Sequence, residues 1–223
     1  MGRGSRPVGS MEVRLAGLRR VLCLGAHADD IEIGCAGTVL RLLEQNKGLE
    51  VYWVVLSATG ERGREARSSA ASILRAAAWA DVRVADFEES FFPYNGGEIK
   101  RYMARLGSEI APDLVMTHWR GDAHQDHRLV AELTWNTFRG PLILEYEVPK
   151  WDGDMSRPNF FVSLAHPLCA RKIEHVLRAF PSQANKPWFT AETFWGLLRL
   201  RGVESRSASG YAEAFHCRKL VLG

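Results

Sequence analysis

In the stretch "CLGAHADDIEIGCAG" (Cys23–Gly37), His27, Asp29 and Asp30 crowd together between an apolar run and a string of small residues. A histidine and a carboxylate three positions apart on a tight turn can aim at one point. Imidazole plus carboxylate suits a divalent ion such as zinc. Asp29 then points elsewhere, either free for another task or capping a helix that begins near Ile31. The turn has no G-x-G-x-x-G or Walker-type pattern, and its paired acids repel anions, so a phosphate loop is rejected.

A second stretch, "THWRGDAHQDHR" (Thr117–Arg128), holds His118, Asp122, His124, Asp126 and His127, including three of the seven histidines in the chain. Two histidines and one carboxylate leave a zinc ion with net positive charge and an open position, the pattern of a catalytic site. His27, Asp30 and one of His124 or His127 would supply it; spacing does not choose between the two histidines. A nearby carboxylate can take a proton from water attacking a carbonyl. The leftover histidine can polarise the developing oxyanion and later protonate a departing amine, with Asp126 fixing its tautomer.

Both stretches need elements that bring them together. "RRVLCLGA" (Arg19–Ala26), "LEVYWVVLSA" (Leu49–Ala58), "VRVADF" (Val82–Phe87) and "LVMTH" (Leu114–His118) read as strands. Apolar spacing predicts helices between them, including one over "REARSSAASILRAAAWA" and one over about Asp126–Phe138. This alternation predicts a single-domain α/β fold, Rossmann-like, with a mostly parallel sheet and helices on both faces. Ligands in such sheets gather beyond the carboxyl ends of the strands, where His27 and His118 both fall. Residues 1–12 read as a disordered leader or expression remnant, and 13–223 as one domain. The formal charge of +3 and the scattered arginines give no basic face for nucleic acid. No apolar run is long enough for a transmembrane segment. Four separated cysteines in apolar contexts read as free thiols of a cytoplasmic protein. The oligomeric state is left open.

With both stretches in view, the chain resembles the PIG-L/LmbE-type zinc N-deacetylases, marked by A-H-P-D-D and H-x-x-x-D-x-H-x-D-H. Here these read "AHADD" (Ala26–Asp30) and "HWRGDAHQDH" (His118–His127). The second is complete at every fixed position; the first lacks only its proline, replaced by Ala28, which leaves that turn somewhat freer. The similarity runs on through "PDLVMTH", "RPNFFVSL" and "YAEAF". The resemblance implies a metal on His27, Asp30 and His127, with Zn2+ expected and Fe2+ an alternative. It further implies Asp29 as general base, His124 as oxyanion stabiliser or acid, and Asp126 as its neighbour. The implied substrate is a small-molecule or conjugated N-acetylglucosamine-type amino sugar that loses its acetyl group. The alternatives are an amidase on another acyl amine, a phosphoesterase, or a binding protein with a vestigial metal site. A single three-ligand site weighs against two-metal phosphoester chemistry.

Other residues have weaker claims. "TGERGREAR" follows the second strand, and Arg62 with Glu65 matches an Arg-x-x-Glu pair common in the family, so both are candidate substrate contacts. Arg62 or Arg64 could grip a phosphate or sugar hydroxyl. His118 is a further candidate substrate contact, or closes a hydrogen bond at the strand end, and Asp122 is read likewise. His166, His175 and His216 read as surface or packed residues. Trp188, Phe189, Phe194 and Trp195 could stack on a sugar, but aromatics at helical spacing more often build core. Arg201 and Glu213 are marked as tail residues within possible reach of the pocket.

Overall fold

The computed structural model describes residues 15 and 17–221, so the expected leader lies outside the described residues. β1 (Arg20–His27), α1 (Asp30–Gln45), β2 (Glu50–Ser57), α2 (Gly60–Ile73) and β3 (Trp79–Val84) open the chain. α3 (Gly96–Glu109), β4 (Leu114–His118), α4 (Gln125–Thr137) and β5 (Leu142–Tyr146) follow. The last third holds β6 (Phe160–Ser163), α5 (His166–Ala179), α6 (Ala191–Glu204) and β7 (Ala212–Cys217). The sheet order is β3-β2-β1-β4-β5-β7-β6. β3 through β5 are parallel, and β7 and β6 return antiparallel at one edge.

Alternation along the strands splits the core in two. Val21, Cys23, Val51 and Trp53 pack under α1, α2, α5 and α6, whereas Leu22, Leu24, Val54 and Leu56 pack under α3 and α4. Helices thus cover both faces, as a largely parallel sheet requires. The strand expected over Val82–Phe87 is shifted to Trp79–Val84. The helix expected to run through "AAAWA" stops at Ile73, and Trp79 and Ala80 start β3. Pairing of Glu50–Val55 with Trp79–Val84 overrides alanine's helix propensity there. Cys23, Cys35 and Cys169 are buried free thiols, and Cys217 is a partly buried one. Among the described residues no helix is long and apolar enough to cross a membrane.

The antiparallel edge is fastened to α1 by buried charge. Glu213 on β7 accepts the Gly37 and Thr38 amides at 2.9 and 2.6 Å, and Lys172 Nζ on α5 lies 2.5 Å from it. Gly37 permits this approach, since a Cβ there would lie 2.9 Å from Glu213 Oε1. Arg201 on α6 pairs with Glu147 at 2.6 Å. Arg201 and Glu213 are therefore held in buried ion pairs that brace the fold. Glu213→Ala should cost about 3–5 kcal/mol, because Lys172 would stay buried and unpaired. Urea denaturation checks this, and a loss below about 1 kcal/mol would refute the brace.

Candidate metal and catalytic centre

The strand order reverses between β1 and β4, and the two histidine-bearing segments leave the carboxyl ends of these neighbours. This is the crevice where open α/β sheets bind ligands. β1 ends on His27, a tight turn leads into α1 at Asp30, and β4 ends on His118. Residues 119–124 then loop to the start of α4, which presents Asp126 and His127 inward.

Three side chains converge through four atoms. His127 Nε2 lies 3.2 Å from His27 Nδ1 and 3.5 Å from Asp30 Oδ1, and His27 Nδ1 lies 3.4 Å from Asp30 Oδ2. Tetrahedral ligand atoms about 2.0–2.1 Å from a zinc ion stand roughly 3.3–3.4 Å apart, so each of these spacings is of that size, the two to Asp30 being made by its different oxygens. Each group is also held from behind. His127 Nδ1 meets Asp122 Oδ2 at 3.0 Å, and His27 Nε2 meets Asp126 Oδ2 at 3.0 Å. Asp30 Oδ2 accepts the His27 amide at 2.6 Å, closing the turn on itself and leaving Oδ1 turned to His127. Carboxylates behind ligating imidazoles are the usual support of a metal site.

The charges are tightly balanced. Burial works against a charged His27, but the Asp30 charge and the hydrogen bonds to Asp126 and Asp30 outweigh it, and its pKa rises to about 10. Burial and the neighbouring histidine charges push His124 and His127 down. Asp122 and Asp126 fall below the usual carboxylate range despite burial, through their bonds to His127 and His27 respectively.

His124 caps α4: its Nδ1 accepts the Asp126 amide at 3.2 Å. A neutral imidazole accepting at Nδ1 carries its proton on Nε2. His124 can therefore offer an N–H, whereas binding an ion through Nε2 would cost the cap. Other triads of donors also lie close together, namely His27 with His124 and His127, and Asp30 with His118 and His127. The cap speaks against the first. In the second, His118 is fully buried and its Nε2 already accepts the Ala26 amide at 2.9 Å. That burial also removes His118 as a substrate contact. It sits behind Asp30, 3.2 Å from Oδ2.

Asp29 occupies the N-cap position of α1 but makes no capping bond. Its Oδ1 accepts from Arg62 Nη2 at 2.8 Å. Arg62 thus reaches the centre, though through Asp29. Glu65 does not: its two oxygens take the Ser182 amide and hydroxyl at 3.0 and 2.5 Å, so the expected Arg62/Glu65 substrate pair is split. Asp126 also departs from expectation. Its carboxylate lies on His27 and not on His124, and it accepts the Ser90 and Phe92 amides at 2.6 and 3.2 Å. Ser90 has a φ of 68°, a left-handed backbone uncommon outside glycine, pinned between Asp126 and the side chain of Gln125.

The sequence reading missed two parts of this frame. The 88–95 loop carries no motif, yet it holds Asp126 and shows Phe91 and Tyr94 to solvent. Lys150, after β5, lies 2.9 Å from Asp122 Oδ1, and Asp154 accepts the Ala123 amide at 2.7 Å. Their only available signal was position beyond the carboxyl end of a strand adjacent to β4. Phe189 and Phe194, weighed as a sugar-stacking wall, are buried in the core.

Comparison with known proteins agrees with this frame. The PIG-L family, described as GlcNAc-PI de-N-acetylase, matches residues 22–138. The uncharacterized deacetylase YaiS of Escherichia coli (strain K12) is 31% identical over 141 residues, 58% of this chain and 74% of YaiS. The N,N'-diacetylchitobiose deacetylase of Pyrococcus horikoshii superposes with a TM-score of 0.67 at 18% identity, covering 90% of this chain and 84% of that one. GalB, the 4-carboxy-2-hydroxymuconate hydratase of Pseudomonas putida KT2440, gives 0.70 at 18% identity over 92% and 98%. One fold thus serves different reactions, and the choice among them rests on the site.

Proposed function

Because the chain belongs to the PIG-L (GlcNAc-PI de-N-acetylase) family of deacetylases, we propose that it removes the acetyl group from an N-acetylglucosamine-type amino sugar or its conjugate, with a divalent metal, Zn2+ foremost, on His27, Asp30 and His127. The observation that carries the reading is the triangle of His27 Nδ1, Asp30 and His127 Nε2 beside an acid, Asp29, that its own helix leaves uncapped. The donor set fits the ion: two imidazole nitrogens and one carboxylate oxygen, each imidazole backed by a second carboxylate. When bound, such an ion supplies Lewis acidity to an acetyl carbonyl and makes water more acidic.

The side chains divide the remaining work. Arg62 fixes Asp29 through Oδ1, leaving Oδ2 to take the proton of the attacking water. Attack converts the amide carbonyl to a tetrahedral oxyanion, and the Nε2–H of His124, left free by the Nδ1 cap, serves as its hydrogen-bond donor. Asp29 then gives its proton to the amine nitrogen as the C–N bond breaks, and acetate and the free amino sugar leave. His124 suits the donor role better than the acid role, because its capped Nδ1 leaves it a single proton.

Acetate release from N-acetylglucosamine and its conjugates, using protein of defined metal content, tests the proposal. Zinc bound with no acetate released from any of them would favour the vestigial binding protein. A finer prediction concerns Asp126. Asp126→Ala frees the 88–95 loop and leaves His27 unoriented, so metal affinity should fall about 10–100-fold. Chelator competition measures the affinity, and hydrogen exchange at the Ser90 and Phe92 amides should quicken with it. Unchanged affinity with faster exchange would leave Asp126 a loop anchor only.

A further inference from the structure

A cleft of about 390 Å³ opens between α2 and α5, away from the metal-ligating side chains. Arg64, Ser68 and Ser72 from α2 and Arg178 from α5 line it, with Ser69 and His175 at its base. Neither Arg62 nor any residue of the metal and catalytic centre lines it, so the cleft is a different place from the catalytic crevice. Arg64 and Arg178 are exposed and make no ion pair or side-chain hydrogen bond among the described residues. The acid lining the cleft, Glu65, is spent on Ser182. His175 is buried; its Nε2 lies 2.8 Å from Ser69 Oγ, and Nδ1 has no partner among the described residues. Burial, and then the charges of Arg178, Arg171 and Arg75, hold the His175 pKa down to about 4, so the imidazole is neutral. Ser69 Oγ also donates to the buried Glu32 Oε1 at 2.5 Å, beneath the cleft.

Two guanidinium groups without carboxylates, hydroxyls between them and a histidine at the base make a recess for a compact, multiply charged oxyanion. We propose that this cleft binds a phosphate group, either free or carried on an anionic ligand. The proposal goes beyond the deacetylase reading and does not depend on it.

Inorganic phosphate is the first probe, titrated at constant ionic strength and followed by calorimetry and by the His175 Cε1–H resonance. The wild-type protein should show saturable binding that moves His175. Arg64→Gln/Arg178→Gln, two exposed changes, should weaken binding at least about tenfold. A non-saturating titration, or equal affinity in the double variant, overturns the site. Turnover separates the two sources. If the phosphate belongs to a substrate, the double variant raises KM for a phosphorylated N-acetylglucosamine conjugate and not for the neutral sugar. If it is a free ligand, both KM values hold while phosphate affinity falls. The binding arm needs no catalysis, so its failure is distinct from a failure of the proposed reaction.

Discussion

Asp29→Asn is expected to lower turnover by about 10²–10⁴-fold while the bound metal stays at its wild-type stoichiometry. The substitution keeps the shape of the side chain and an oxygen to accept from Arg62, so the 2.8 Å contact that fixes residue 29 survives. It removes only the ability to take a proton from water and pass it to the amine. Because both transfers run through one carboxylate, neither His124 nor a surface group can replace it. Acetate release and metal content, measured on one preparation, check the split. Wild-type turnover in this variant would sink the assignment of the base.

His127→Ala should instead lose the metal and the activity together. His127 presents Nε2 as one corner of the triangle and is steered there by Asp122. Removing it leaves one imidazole and one carboxylate, so affinity should drop by more than the roughly 10–100-fold expected for a supporting residue. The fold should survive, since Asp122 still holds Lys150 and the His124 amide. Metal analysis after dialysis, with a zinc-dependent rise in Tm for the wild type and none for the variant, reads the outcome. Full zinc occupancy in the variant would transfer the ligand role elsewhere. The same centre sets a pH dependence. In the metal-free protein His27 holds its second proton up to a pKa of about 10. An ion must displace that proton, so apparent affinity should climb with pH, about tenfold per unit while His27 remains protonated. An affinity flat in pH over this range would contradict the ligand role of His27.

β1 to β4 were legible because each reads as a short apolar run followed by a helical pattern. That alone put His27 and His118 at one edge. Spacing could not choose between His124 and His127, which are three positions apart near the start of α4. The difference is rotational: His127 turns inward onto Asp122, and His124 turns back to its own helix amide. Asp126 was misdirected for a similar reason. A sequence neighbour looked like its partner, whereas the carboxylate crosses 99 residues to reach His27. The antiparallel edge was also hidden, since pairing direction depends on Glu213 and Lys172 meeting α1.

The short bond from the His27 amide to Asp30 changes what Ala28 means. A proline there, as in the A-H-P-D-D pattern the turn resembles, would build rigidity into the covalent ring. Here a carboxylate latches the corner from three residues downstream, and the fully buried methyl of Ala28 only fills space. Stiffness of the corner thereby becomes a property of Asp30. Any change at Asp30 would slacken the backbone under His27 as well as remove an oxygen, so one substitution would strike two of the three converging groups.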